Sequence, residues 1–242
     1  MIRNYDLDQG RFEFTPLQVV LVIVNYFYGY QYLYPRLGAW VSGSQTVVTP
    51  RVAMFIYLFT LISTVAIVHR QLRASYYFFK RNIRTNIIPV FRIAGLLLLF
   101  NIALGLLVQL ILGSGTVSAN QNAVNEGLRN FPFLNMFATI VFAPIVEEVV
   151  FRGALYQSLR SEKSYYSSIA ISCFLFGLIH ILPSMMTTGD LTQLIYLIPY
   201  SGMAIFMIMA FEVTGSIWGA IFVHMLNNAF ATLTVILPMF LG

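Results

Sequence analysis

Glu147 and Glu148 are adjacent, Arg152 follows four residues later, and all three sit in an apolar run that begins near Phe131. Ionisable groups inside a membrane-length apolar segment are costly unless paired or hydrated, so they mark a functional site by default. The later apolar segments add His180, His224, Asn227 and Asn228; of the three histidines in the chain, two lie in such segments. A lone membrane histidine is commonly a hydrogen-bonded packing residue. Two of them together with a carboxylate pair make the stronger case for a site. A carboxylate and a histidine sharing a water form a general base for hydrolysis. A second histidine and an amide on one helical face can donate hydrogen bonds to a developing oxyanion. Together these groups suit peptide-bond hydrolysis by an activated water, with no covalent acyl intermediate.

Helical phase separates the two glutamates. Glu148 and Arg152 stand i, i+4 and share a face, so they can form an ion pair. Glu147 points about 100° away from Glu148, which leaves its carboxylate free for chemistry. The plainer alternative is that both glutamates only neutralise Arg152. Phe176 and His180 share a face of their segment, as do His224 and Asn228 of theirs.

These residues need a membrane frame to position them. The chain has 242 residues, 58% hydrophobic and 10% charged, with a mean hydropathy of +0.77. Soluble domains carry about 25% charged residues, so the expected class is an all-α, polytopic membrane helix bundle. The net charge of +5 is better explained by a positive-inside bias than by nucleic acid, and no nucleic-acid partner is expected. One cysteine, Cys173, excludes an internal disulfide. Met1 to Phe14 lacks the apolar core of a cleaved signal peptide, so the first span is expected to act as an uncleaved insertion signal.

A spanning helix needs about 20 apolar residues. The candidates are Pro16 to Tyr34, Val52 to Val68, Ile93 to Leu112, Phe133 to Leu159, Ser167 to Leu182, Leu191 to Phe211 and Ser216 to Leu241. That makes about seven transmembrane helices, and eight if the last run splits. Pro199 and Gly202 are candidate breaks in the sixth span. Gly38 to Pro50 and Gly113 to Asn130 read as loops. His69 to Asn86 is basic and aromatic and reads either as a headgroup-lying segment or as a cytoplasmic loop. No internal repeat is visible. The whole chain, 1–242, reads as one membrane domain, with 1–130 as N-terminal helices and 131–242 as the core that holds the polar groups.

Placing His69 to Asn86 inside leaves Arg36, Arg51 and Arg129 as the basic residues outside. The expected setting is therefore a multi-pass protein of the cell membrane with a cytoplasmic N-terminus. In this arrangement Glu147, His180, His224 and Asn228 fall roughly 12 to 21 Å from the inner boundary at about 1.5 Å per residue. Groups from three helices thus converge near mid-membrane.

Glu147-Glu148-x-x-x-Arg152, Phe176-x-x-x-His180 and His224-x-x-x-Asn228 resemble, in order, the three motifs of the CAAX protease and bacteriocin-processing family. This family contains the type II CAAX prenyl endopeptidases and their bacterial Abi relatives. The resemblance covers about Phe133 to Ala231. It implies an intramembrane glutamate-dependent endopeptidase in which Glu147 activates water with His180, and His224 and Asn228 stabilise the oxyanion. Glu148, Arg152 and Phe176 would support the site, with no metal and no cofactor. The implied substrate is a membrane-associated peptide or protein in the lipid bilayer, such as a lipidated protein or a pheromone or bacteriocin precursor.

Other readings stay open at this point. Glu147, His180 and His224 could instead ligate zinc, which would need all three within about 2.2 Å of one ion. Cys173 lies two turns from His180, about 10 Å along the helix axis, too far for direct activation. Ser114 and Ser118 fall in a loop away from the buried histidines. Gly189-Asp190 resembles a motif of aspartyl intramembrane proteases but lacks a second buried aspartate. A non-catalytic regulator or immunity protein partnering a sensor kinase or peptide system, or a proton-relaying transporter, uses similar buried polar groups.

Overall fold

The structure is a computed structural model that describes residues 13–43 and 49–241. The expectation of no signal peptide rests on Met1 to Phe14, of which 1–12 lie outside the described residues, as do residues 44–48 of the first predicted loop.

Four helices start at a capping side chain, those of Thr15, Thr49, Ser118 and Asp190. The first, α1, spans 16–41: Pro16–Ile23 and Tyr34–Val41 are α-helical, and Val24–Leu33 between them is π-helical. Thr15 accepts from the Gln18 N–H, and Gln18 returns the bond to the Thr15 backbone, closing a capping box with Pro16 at the first helical position. Then come α2 (Pro50–Arg81), α3 (Ile83–Leu112), α4 (Ala119–Asn130), α5 (Pro132–Leu159), α6 (Tyr165–Thr188), α7 (Leu191–Thr214) and α8 (Ile217–Leu241). Gly189 and Gly215 end α6 and α7 at φ 70° and 63°, a conformation that favours glycine.

Six helices, α2, α3 and α5 to α8, are long and apolar enough to cross a membrane. The first predicted span, Pro16 to Tyr34, lies within α1, which is not among these six and carries Asn25, Gln31 and five tyrosines between Tyr26 and Tyr34. With Leu110 and Phe133 84% and 86% exposed, a lipid-facing apolar surface surrounds the bundle. The chain is a multi-pass, all-α membrane protein.

Four expectations need correction. His69 to Asn86 is neither loop nor separate segment: α2 continues through a kink at Val68 (φ −121°) to Arg81, and α3 starts at Ile83. Lys, Arg and Gln are good helix formers, so the helix outlasts its apolar run. Residues 113–130 are not all loop, because Ser118 caps α4 by accepting from the Gln121 N–H. Pro199 and Gly202 do not break α7; Pro199 falls in the first turn of its α-helical part, where a missing N–H is tolerated. The last apolar run is one helix, so it supplies no eighth span.

α7 packs along α6, α8 and α3. Its approach to α6 depends on Gly177, where a Cβ would collide with Ser201 and Leu197. At one end of the bundle Ser75 Oγ meets Ser216 Oγ (2.8 Å), and the Trp218 indole donates to the Leu72 carbonyl (3.0 Å), tying α2 to the start of α8. At the same end, Tyr156 of α5 and Arg160 just after it donate to Glu212 of α7 at 3.0 and 2.8 Å. The apolar core runs between these ties and the polar groups of α5, α6 and α8.

Candidate active site

The backbone of α5 alternates around the two glutamates. Ala143–Glu148 is α-helical, with π-helical turns over Phe137–Phe142 before it and Val149–Tyr156 after it. Single π turns widen the helix and re-aim side chains, and they recur at functional sites. The Asn228 amide of α8 donates to the Thr139 carbonyl inside the first of these turns at 2.8 Å.

Beneath the site is a buried charged network. Glu148 and Arg152 are both 0% exposed, with Arg152 Nε 3.0 Å from Glu148 Oε2 in an ion pair not aligned as a hydrogen bond. Arg152 Nη2 donates to the Ala204 carbonyl of α7 (3.1 Å), and its guanidinium lies 4.7 Å over the Phe176 ring. The other Glu148 oxygen, Oε1, lies 2.8 Å from His224 Nδ1. Glu148 thus ties α5 to α8, and Arg152 ties α5 to α6 and α7. Phe176 sits among them, 4.6 Å from the His180 ring and 6.0 Å from the His224 ring.

Glu147 is placed differently. Its Oε2 is buried with no hydrogen-bond partner among the described residues. It stands 3.9 Å from His180 Nε2 and 4.0 Å from His224 Nε2. Both distances exceed a direct hydrogen bond and suit two bonds made through one shared atom. The histidine tautomers follow from the other ring nitrogens. His180 Nδ1 lies 2.7 Å from the Phe176 carbonyl, which can only accept, so Nδ1 carries the proton. Neutral His180 therefore turns the lone pair of Nε2 toward Glu147. By the same logic His224 gives Nδ1–H to Glu148, and its Nε2 carries a proton only in the imidazolium form.

A cavity of about 640 Å³ lies over Glu147, His180, His224 and Asn228. The structure thus brings together all four residues predicted to act and all three predicted to support them. It also brings in groups that sequence reasoning missed. Tyr200 stacks on the His180 ring at 4.5 Å, and its hydroxyl is bonded to Ser118 Oγ (2.6 Å) and by Asn120 Nδ2 (3.2 Å) of the α4 start. Asn101 of α3 donates to Asn227 Oδ1 at 2.7 Å. The available signals were Asn101, which shares its leucine-rich span with only one other amide, Gln109, and a tyrosine beside Pro199.

The rival residues lie elsewhere in role. Cys173 is a buried core residue. Ser118 is the α4 cap. Asp190 caps the start of α7, where hydrogen bonds from Thr192 and Gln193 hold its carboxyl below the usual range. Among the described residues no cluster of three or more His, Cys, Asp or Glu side chains is arranged to hold a metal ion.

Residues 129–230 match the family model of type II CAAX prenyl endopeptidase, Rce1-like. Over these residues the chain is similar to the CAAX protease family. The CAAX protease match takes in every residue of the three motifs, from Glu147 to Asn228. The chain is also similar to "Putative membrane peptidase YdiL" of Bacillus subtilis (strain 168), 27% identical over 128 residues, 53% of this chain and 48% of that protein. It spans about half the length of this curated relative. No solved structure matches.

Proposed function

We propose that the chain is an intramembrane endopeptidase that hydrolyses a peptide bond of a membrane-associated protein or peptide through a water activated by Glu147 and His180. The observation that carries this reading is the unpartnered Glu147 Oε2 set about 4 Å from two histidine Nε2 atoms at the floor of the cavity. In this reading Glu147, oriented with His180, takes a proton from water as the oxygen attacks the scissile carbonyl carbon. The carbonyl π bond breaks, and its electrons go to an oxyanion. His224, as an imidazolium held by Glu148, and the second N–H of the Asn228 amide donate to that oxyanion. Collapse of the intermediate breaks the C–N bond, and the proton held at Glu147 passes to the leaving amine. Residues 131–242 supply this chemistry, and the helices before them supply part of the cavity wall. The N-terminus lies in the cytoplasm.

The test is cleavage by purified protein of a panel of prenylated and unmodified peptides, with products identified by mass. Cleavage that disappears in Glu147, His180 and His224 variants which still insert supports the endopeptidase. A cellular role that persists in those variants, with stoichiometric binding to a membrane kinase, favours the non-catalytic regulator. Loss of cleavage on chelation, restored by zinc, favours Glu147, His180 and His224 as metal ligands.

A further inference from the structure

The cavity over Glu147 belongs to one end of the bundle. Its walls come from the second halves of α3 and α8 and the first halves of α5 and α7, and α4 lies along it. The Ala119 N–H of α4 donates to Gln193 Oε1 at 3.0 Å, and Ser118 and Asn120 hold the Tyr200 hydroxyl, so α4 is fastened to the start of α7. Toward the other end the bundle is sealed: Val149, Val150, Phe151, Ile217 and Ile221 are all 0% exposed.

The sealed end carries the positive charge. Arg70, Arg73, Lys80, Arg81 and Arg84 surround the α2–α3 turn, and Arg160 and Lys163 the α5–α6 turn. The α2–α8 and α5–α7 ties described above join these turns at one end. The cavity end has Arg36, Arg51 and Arg129. Short cytoplasmic loops carry the Lys and Arg excess, so the sealed end faces the cytoplasm.

The lining adds a second constraint. It holds no Lys, Arg or Asp and no Glu besides Glu147. It does hold the carboxamides of Asn101, Asn120, Gln121, Asn135 and Asn227. Carboxamides offer donors and acceptors that match peptide N–H and C=O groups, whereas a charged side chain entering here would lose hydration without a counterion. We infer that the cavity opens to the extracytoplasmic side beneath α4, and that it takes an uncharged stretch of a peptide presented at that face. The peptide half of this inference rests on the endopeptidase reading; the sidedness does not.

Thiol labelling tests the sidedness on the full chain. In a Cys173→Ala background, Ser114→Cys reports the exposed loop before α4, Asn120→Cys the cavity wall, and Ser161→Cys the exposed turn at the basic end. Intact cells are treated with a small membrane-impermeant thiol reagent. Ser114→Cys and Asn120→Cys are expected to label from outside, and Ser161→Cys only after permeabilisation. Gln121→Cys replaces Asn120→Cys if the latter does not insert. The reversed pattern overturns the inference, and so does outside labelling of Ser114→Cys with none in the cavity. Repeating the labelling with Glu147→Gln separates sidedness from catalysis. For the peptide half, placing Lys or Asp next to the bond cleaved in the best panel peptide is expected to lower kcat/KM at least tenfold. An unchanged value overturns it.

Discussion

Replacing Arg152 by methionine should unfold the protein more than any other single change near the site. Arg152 and Glu148 are both fully buried, and the guanidinium touches Glu148 Oε2, the Ala204 carbonyl and the Phe176 face. Methionine fills much of the same volume but leaves the Glu148 carboxylate with the His224 Nδ1–H alone. Removing one partner of a buried ion pair costs about 3–5 kcal/mol, because the remaining charge stays out of water. Glu148→Gln is expected to cost a similar amount from the other side, even though the new amide oxygen still accepts from His224. The double variant buries no orphan charge, so its loss should fall within about 2 kcal/mol of the parent, well short of the two single losses together. Reversible unfolding in mixed micelles, followed by circular dichroism, measures all four proteins. An Arg152→Met protein as stable as the parent, or a double variant whose loss equals the sum of the singles, would refute the pairing argument.

Three further outcomes follow from the geometry. Tyr200→Ala removes both the stack on His180 and the hydroxyl bonds to Ser118 and Asn120, and should slow peptide cleavage about 10-fold. Tyr200→Phe keeps the stack and should slow cleavage less; equal effects would place the contribution in the hydroxyl. Gly177→Ala forces a Cβ against Ser201 and Leu197 and should cost about 1–3 kcal/mol in the same unfolding assay. Gly95→Ala, where nothing lies within 4 Å, should cost nothing. Cleavage by the purified protein should persist after dialysis against phenanthroline, as followed by product mass; loss that zinc restores would point to a metal mechanism.

The chemistry could be read from the chain because its polar groups are conspicuous. Glu147, Glu148, Arg152, His180 and His224 stand in apolar runs, where cost alone singles them out, and i, i+4 spacing is enough to pair Glu148 with Arg152. The fold was readable wherever a helix coincides with an apolar run. It was not readable where a helix is polar. In α4 only Val124 and Leu128 are large apolar residues after Ala123, so nothing in its hydropathy distinguishes it from a loop; the Ser118 cap and its docking on Gln193 and Tyr200 are what form it. The extension of α2 past Val68 was missed for the same reason, since apolar length marks the membrane boundary rather than the helix end. Tyr200 and Asn101 carry no charge, and only their contacts across helices show that they belong to the site.

The most direct test is the single-turnover cleavage rate of Glu147→Gln against the parent. The glutamine keeps the size of the side chain and removes no hydrogen bond made by Oε2, so insertion and stability should be unchanged. Loss of the general base should lower the rate by about 10²–10⁴-fold. A Glu147→Gln protein that cleaves at the parental rate would contradict the account.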